Sequence, residues 1–307
     1  EEIEPLVASY LAALQALRDP LETAHPAGVR LSEILLGPIR RAAGAGARIV
    51  IVPDGALHEL NLEALPVESP RPHYWLEDTT VAIAPSLAVL EPSAAASTTA
   101  AQRSLLWIGN SRPPEKDLPP LPAVEKELAS IRTHLAGWQQ TVFAGPAARP
   151  SAYGAASPGR FDLIHFSAHA AANRRDPLES AVLLSAGGDG YKLYAREIVA
   201  IPLAARLVTI SACRGAGARV YSGEGLVGFT WAFLQAGAKN VIAGLWEVND
   251  DSTAALMDTL YARLAAGEAP AQALHAAKLA LVRSGAAWRK PYYWAPFENF
   301  SRGLPFE

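Results

Sequence analysis

No disulfide can form within this chain, because cysteine occurs once in 307 residues, at position 213. A lone thiol fits a reducing compartment and points to a cytoplasmic setting. Methionine is as scarce. Its one occurrence is Met257, so the chain carries no initiator and reads as a piece of a longer protein. A surplus of basic charge is missing too: 27 Lys and Arg stand against 30 Asp and Glu, a formal charge of −3. That argues against nucleic acid as a direct partner, since a phosphate backbone is held by excess cations. No apolar run approaches the roughly 18 residues of a membrane-spanning helix, so no membrane partner is expected. The acidic opening Glu1-Glu2-Ile3-Glu4 is no signal peptide.

What is present is apolar residue at half of all positions, enough for one large domain or two small ones. The chain is organised around residues 207–251. Residues 207–210 form a branched apolar run suited to a buried strand. The segment Ser211-Ala212-Cys213-Arg214-Gly215 and a glycine-rich stretch follow. Helical spacing over 226–235, with Gly237 at a C-cap position, then leads to a second apolar run at 241–245. Strand, helix, strand over this length is a right-handed βαβ unit, and function gathers at the carboxyl ends of such strands.

The rest of the chain alternates in the same way. Helical spacing marks 3–17, 32–43 from a Ser32 N-cap, 121–135, 251–266 and 270–284. Strands are expected at 48–52, 79–84, 104–109, 161–167 and 181–185, and the aromatic tail 291–297 reads as an edge strand. This alternation predicts an α/β sandwich around a mostly parallel sheet.

The thiol is the best nucleophile in the chain, and it needs a base to ionise it. His169 follows the 161–167 strand as Cys213 follows the 207–210 strand, so both belong to one sheet edge. His169 stands 44 residues upstream of Cys213. Caspase nucleophiles occur in Gln-Ala-Cys-[Arg/Gln/Gly]-Gly with a histidine about 50 residues upstream; here the match is Ala212-Cys213-Arg214-Gly215, with Ser211 in place of glutamine. The plain alternative is a buried thiol acting as a small hydrophobe.

Other motifs are weaker. Gly223-Glu224-Gly225-Leu226-Val227-Gly228 satisfies the dinucleotide pattern, and Glu247 could imitate its ribose-binding acid. The first glycine should follow its strand directly, however, and here the cysteine intervenes. His165 and His169 have metal-ligand spacing but neither an intervening glutamate nor a third ligand, so no metal or cofactor is expected. No G-x-S-x-G elbow is present. Asp250 or Asp251 is the expected N-cap of the 251–266 helix.

Taken together, residues 31–303 resemble the CHAT domains of the caspase, gingipain and separase clan of cysteine peptidases. The likeness rests on Ile51-Val52-Pro53-Asp54-Gly55 with Leu57 and Leu60, on Ala84-Pro85-Ser86-Leu87, and on His165-Phe166-Ser167-Ala168-His169. It continues through 207–215, Gly223-Glu224-Gly225, Ala236-Gly237-Ala238, Leu245-Trp246-Glu247-Val248-Asn249-Asp250 and Tyr293-Trp294-Ala295. The resemblance implies a three-layer α/β/α caspase-like sandwich. Residues 1–150 would form a helix and a catalytically silent companion lobe, and 151–307 the protease lobe. It implies a His169–Cys213 dyad, with His165 a structural strand residue, and an oxyanion hole from the N–H groups of Ala170 and Cys213. An S1 pocket of Asp250, Glu247 and Ser211 would prefer a cationic P1 residue. Partners would be a protein or peptide substrate and a tetratricopeptide-like regulatory module in the parent chain. Two departures stand out: Ala170 replaces the family's usual glycine, and Arg214 stands where an acidic residue is common. The rival readings are a non-catalytic interaction scaffold and a nucleotide-binding α/β domain.

Overall fold

The computed structural model describes residues 2–90, 103–115, 118, 121–171, 173, 175–211, 224–246, 249–285, 287–303 and 306. Helix α1, Ile3–Gln15, buries Val7, Tyr10, Leu11 and Leu14, one face of a helix as their spacing requires. Helices α2 (Pro20–Thr23), α3 (Pro26–Leu31) and α4 (Gly37–Ala42) follow. Ser32 does not cap a helix. It opens the π-helical stretch Ser32–Leu36 between α3 and α4, and its hydroxyl donates to the Pro66 carbonyl. The helical run starts earlier because Pro26 supplies a pre-set φ at the first helical position.

Strands β1 (Ala47–Ile51), β2 (Pro66–Val67), β3 (His73–Tyr74), β4 (Thr79–Ile83) and β5 (Ser104–Gly109) come next. Helix α5 (Val124–His134), β6 (Gln139–Ala144), α6 (Pro150–Ala155) and β7 (Leu163–Ser167) succeed them. Then follow β8 (His169–Ala171), β9 (Ala181–Gly187), β10 (Gly190–Tyr194) and α7 (Ala195–Val199). The chain continues through β11 (Leu207–Ile210), α8 (Glu224–Ala236), β12 (Asn240–Gly244) and α9 (Asp250–Ala265). It closes with α10 (Pro270–Arg283), α11 (Pro291–Trp294) and β13 (Phe297–Ser301).

Eight strands form one sheet in the order β1-β4-β13-β12-β11-β7-β5-β6. Strands β12, β11, β7, β5 and β6 are mutually parallel. Strands β13, β4 and β1 are also parallel to one another, but β13 runs antiparallel to β12. The sheet is thus two parallel blocks opposed at one seam, mostly parallel as the alternation of elements predicts. Helices cover both faces of the larger block. Phe166 of β7 packs on Tyr153 of α6 and Phe233 of α8, whereas its neighbour His165 meets Tyr261 of α9 and Glu127 of α5. Strands from before residue 150 stand at both ends of the sheet, β1 and β4 at one, β5 and β6 at the other.

Of the βαβ unit read over 207–251, the strand, helix and strand form as β11, α8 and β12. Gly237 closes α8 with φ +118°, its N–H donating to the Leu234 carbonyl and that of Ala238 to Phe233, a Schellman pattern. A Cβ at this position would lie 2.3 Å from the Leu203 carbonyl oxygen, so only glycine fits. The tail differs from expectation. Its aromatic residues 291–294 make the short helix α11, started by Pro291. The strand begins later, at Phe297, and lies inside the sheet between β12 and β4 rather than at an edge. Glu298 and Asn299, both buried, break the hydrophobic pattern that would have announced it.

Glu298 belongs to a buried charge cluster. Lys278 of α10 forms an ion pair with Glu63, both side chains almost wholly buried. Burial pushes the Glu298 carboxyl up to about 8, with nearby Glu63 adding to the rise and Lys278 opposing it. The native state therefore keeps a proton that the unfolded chain releases near 4.5. Between those values each pH unit costs about 1.4 kcal/mol of stability, and the contribution is intact only below the lower one. Glu298→Gln, which imitates the protonated acid, is expected to raise the melting temperature at pH 8 and to change it little at pH 5. An equal shift at both values would contradict this account. Deleting residues 1–150 removes four of the eight strands of the large sheet, including both its ends, and is expected to give an aggregating protein by size-exclusion chromatography; a soluble, monomeric 151–307 fragment would contradict it.

Candidate active site

Strands β7 and β11 are parallel neighbours, with Thr209 opposite His165 and Ile210 opposite Phe166. The pairing continues one residue further, where the Ser211 N–H donates to the Phe166 carbonyl at 2.8 Å. Counting on from the pair Ile210 and Phe166, Cys213 and His169 are each the third residue. Cys213 and Glu247 lie outside the described residues, as does Gly223, which opens the nucleotide-like motif.

His169 does more than follow a strand. After the single residue Ala168 it opens β8, which leaves the large sheet and pairs antiparallel with β9, His169 opposite Leu183 and Ala170 opposite Val182. Strands β10, β9 and β8 form a separate three-stranded sheet. His169 is 4% exposed, and Ala170 is half-buried. The junction is braced by the turn after β5. Asn110 takes φ +48°, a conformation asparagine tolerates better than most residues, and its N–H donates to the Ser167 carbonyl at 3.0 Å. The Ser111 hydroxyl donates to the Leu183 carbonyl at 2.9 Å, and the Arg112 N–H to Ser185 Oγ at 2.8 Å. These bonds tie the end of β5 to β9, the strand that positions His169.

Beneath this edge lies a polar group that the sequence reading passed over. Glu127 of α5 is 3% exposed. Its Oε1 accepts from His165 Nε2 and from Ser167 Oγ, both at 2.7 Å, and its Oε2 accepts from Ser211 Oγ at 2.8 Å. On the far side of the imidazole, His165 Nδ1 lies 2.8 Å from the Tyr261 hydroxyl, which in turn lies 3.4 Å from Thr209 Oγ1. Two signals could have found it. Position 127 falls on the apolar face set by Val124 and Ile131, where a carboxylate is out of place. Ser-Ala also precedes both His169 and Cys213. Ser211, expected to line the substrate pocket, directs its hydroxyl inward to Glu127.

Asp250 is not the helix cap. That role falls to Asn249, whose Oδ1 accepts from the Ser252 N–H at 3.1 Å. Asp250 Oδ2 instead accepts from the Ala123 N–H at 2.6 Å, where α5 begins. Burial raises the Asp250 carboxyl above its ordinary range and the Ala123 bond opposes this, while Glu127 and Asp251 push it further up and His169 pulls it down. Asp250 is thus within electrostatic reach of both His169 and Glu127. Among the described residues no group of three His, Cys, Asp or Glu could hold a metal ion.

Comparison with known proteins agrees with this architecture. The description CHAT domain matches residues 25–302. Over 105 residues the chain is 33% identical to mouse tetratricopeptide repeat protein 28, a match covering 34% of this chain and 4% of that protein. Its fold is similar to the Arg-specific cysteine proteinase gingipain R, with a TM-score of 0.55 at 10% identity over 99% of this chain and 75% of that one. Against the complex of the pro- and mature domains of the Porphyromonas gingivalis enzyme RgpB, the TM-score is 0.58 at 13% identity, covering 100% of this chain and 77% of that one. The fold is therefore that of the caspase-like cysteine proteinases.

The two candidate caps can be separated by mutation. Asn249→Ala is expected to cost about 1 kcal/mol of stability. Exposed Asp251→Ala should change it by no more than about 0.5 kcal/mol. Denaturant titration of both variants checks the assignment, and the reverse order would refute it.

Proposed function

The chain belongs to the CHAT domain family, and from that membership we propose that it is a cysteine endopeptidase cleaving a protein or peptide substrate with Cys213 and His169. The observation that carries the reading is the register of β7 and β11, which gives the two residues equal chain distances from one hydrogen-bonded strand pair.

In this mechanism His169 takes the Cys213 thiol proton, the thiolate sulfur attacks the scissile carbonyl carbon, and the carbonyl π electrons move to oxygen. The resulting oxyanion is held by the N–H groups of Ala170 and Cys213. As the carbonyl reforms, the C–N bond breaks and His169 delivers a proton to the leaving amine. Water, deprotonated by His169, then hydrolyses the thioester and returns the thiol. Alanine at 170 keeps the N–H that the oxyanion needs, although it tolerates positive φ less well than the family's usual glycine.

Asp250 is the favoured S1 acid, with Glu247 second. Its raised carboxyl supports this role, because a partly buried acid is costly to ionise and a P1 Arg or Lys would complete the pair. Ser211, whose hydroxyl is turned to Glu127, is not placed in this pocket. We further propose that the part of residues 1–150 before β5 is a silent companion lobe, since β5, α5 and β6 stand in the same parallel block as β7 and β11, and we propose a cytoplasmic setting and control by a tetratricopeptide-like module of the parent protein. The match to a mouse tetratricopeptide repeat protein supports the last of these.

Cys213→Ala should abolish cleavage and His169→Ala should nearly do so, each with the fold intact by circular dichroism. His165→Ala should act through stability. A folded but inactive His165→Ala beside an active His169→Ala would reverse the assignment. A thiol slow to alkylate at every pH would favour the scaffold reading, and thermal stabilisation by nucleotide would favour the binding domain. In a peptide-library profile P1 Arg or Lys should lead, and Asp250→Asn should weaken that preference far more than it lowers the melting temperature. Efficient cleavage after Asp would overturn the pocket.

A further inference from the structure

We infer that Glu127 is a positioning residue: one buried carboxylate that grips Ser167 and Ser211 and so fixes the two chain segments carrying His169 and Cys213 relative to each other. The inference rests on the dyad proposed above. Glu127 itself is given no contact with substrate.

The geometry is specific. Ser167 is the last residue of β7 and Ser211 the first residue after β11. Each stands two residues before a member of the dyad, and each donates its hydroxyl to Glu127, one to Oε1 at 2.7 Å and the other to Oε2 at 2.8 Å. Backbone pairing between the strands passes through the Ser211 N–H and the Phe166 carbonyl. The carboxylate adds a side-chain bridge where that ladder ends. A carboxylate fits this task because its two oxygens accept from both hydroxyls at once, with capacity left for His165 Nε2 at 2.7 Å. The imidazole locks the carboxylate in turn, and Tyr261 Oη, 2.8 Å from Nδ1, closes the chain from α9.

Stability alone does not account for the arrangement. Replacing a buried ionic or polar cluster by packed hydrophobes is often neutral or stabilising. A chain selected only to hold α5 on the sheet could use an aliphatic residue at 127 and alanine at 167 and 211. What the present residues add is a fixed separation between two strand ends. A nucleophile and its base need that, since a misplacement of about 1 Å costs on the order of 100-fold in rate. The carboxylate is also felt at Asp250, whose acid it helps to raise, so the clamp and the proposed S1 acid share one electrostatic environment.

The test uses the whole chain with Ser167→Ala, Ser211→Ala, their double variant, Glu127→Gln and Glu127→Ala. Three readouts are compared: kcat and KM on a peptide cleaved by the wild type, the pH profile of iodoacetamide alkylation at Cys213, the sole thiol, and amide hydrogen exchange. Each serine variant should lower kcat by about 3- to 10-fold with KM within twofold, and should flatten the alkylation profile. The double variant should lose less than the product of the single losses, because both serines act through one carboxylate. Glu127→Ala should lose about 10- to 100-fold in kcat, and the isosteric Glu127→Gln should recover part of it. If both folded serine variants keep wild-type kcat and alkylation profile, or their losses multiply independently, the clamp is overturned. Should Glu127→Ala fail to fold, the serine variants decide alone. If the wild type cleaves no peptide and its thiol alkylates without an inflection, the peptidase reading falls. The clamp is then judged by exchange at 168–171. It stands if Ser167→Ala speeds exchange there at least tenfold relative to β12, and it falls otherwise.

Discussion

A carboxylate withdrawn from water must be met by donors, and the donors Glu127 finds determine how this sheet is assembled. They come from β7, from the residue after β11, and through His165 from α9, so satisfying one side chain joins two strands and two helices. Apolar packing brings these elements together, but it specifies spacing only loosely. Hydrogen bonds of 2.7 to 2.8 Å to fixed acceptors specify it closely. The larger parallel block thus has a mainly apolar interior with a polar fastening at the edge where a parallel sheet places its chemistry.

The smaller block has a fastening of another kind. Lys278 of α10 pairs with Glu63, and both act electrostatically on the buried Glu298 of β13. One cluster is a set of hydrogen bonds to a single anion. The other is an ion pair beside an acid too buried to ionise at neutral pH. The first serves geometry at an edge, and the second lies beside β13, which its pairing with β12 and β4 keeps inside the sheet.

The legible parts of the chain were those where a local pattern and the fold agree. The run 207–251 announces strand, helix and strand because apolar period, glycine punctuation and length coincide, and each element forms within a few residues of expectation. Where the sequence misled, a buried polar residue or a proline had displaced the pattern. Glu298 and Asn299 hid β13, Pro26 moved a helix start upstream of Ser32, and Asn249 took the cap expected of its acidic neighbours. Glu127 stands on the apolar face of its helix, which marks it as out of place, but its donors lie 38, 40 and 84 residues away and no local rule names them. Of the candidate site, His169, Ala170, Ser211 and Asp250 could be named from sequence. That Ser211 faces inward, and that Asp250 reaches the start of α5, required the third dimension.

One feature of the topology bears on how such a site is governed. Ser167 ends a strand of the large sheet, and after Ala168 the histidine already belongs to a different sheet. His169 is therefore carried by the three-stranded sheet, whereas Ser211 remains paired to the eight-stranded frame. The small sheet is in turn fastened to the large one through Ser111 and Arg112 at the end of β5. The place of the imidazole thus depends on β9 and on the turn after β5 as much as on the strand that leads to it.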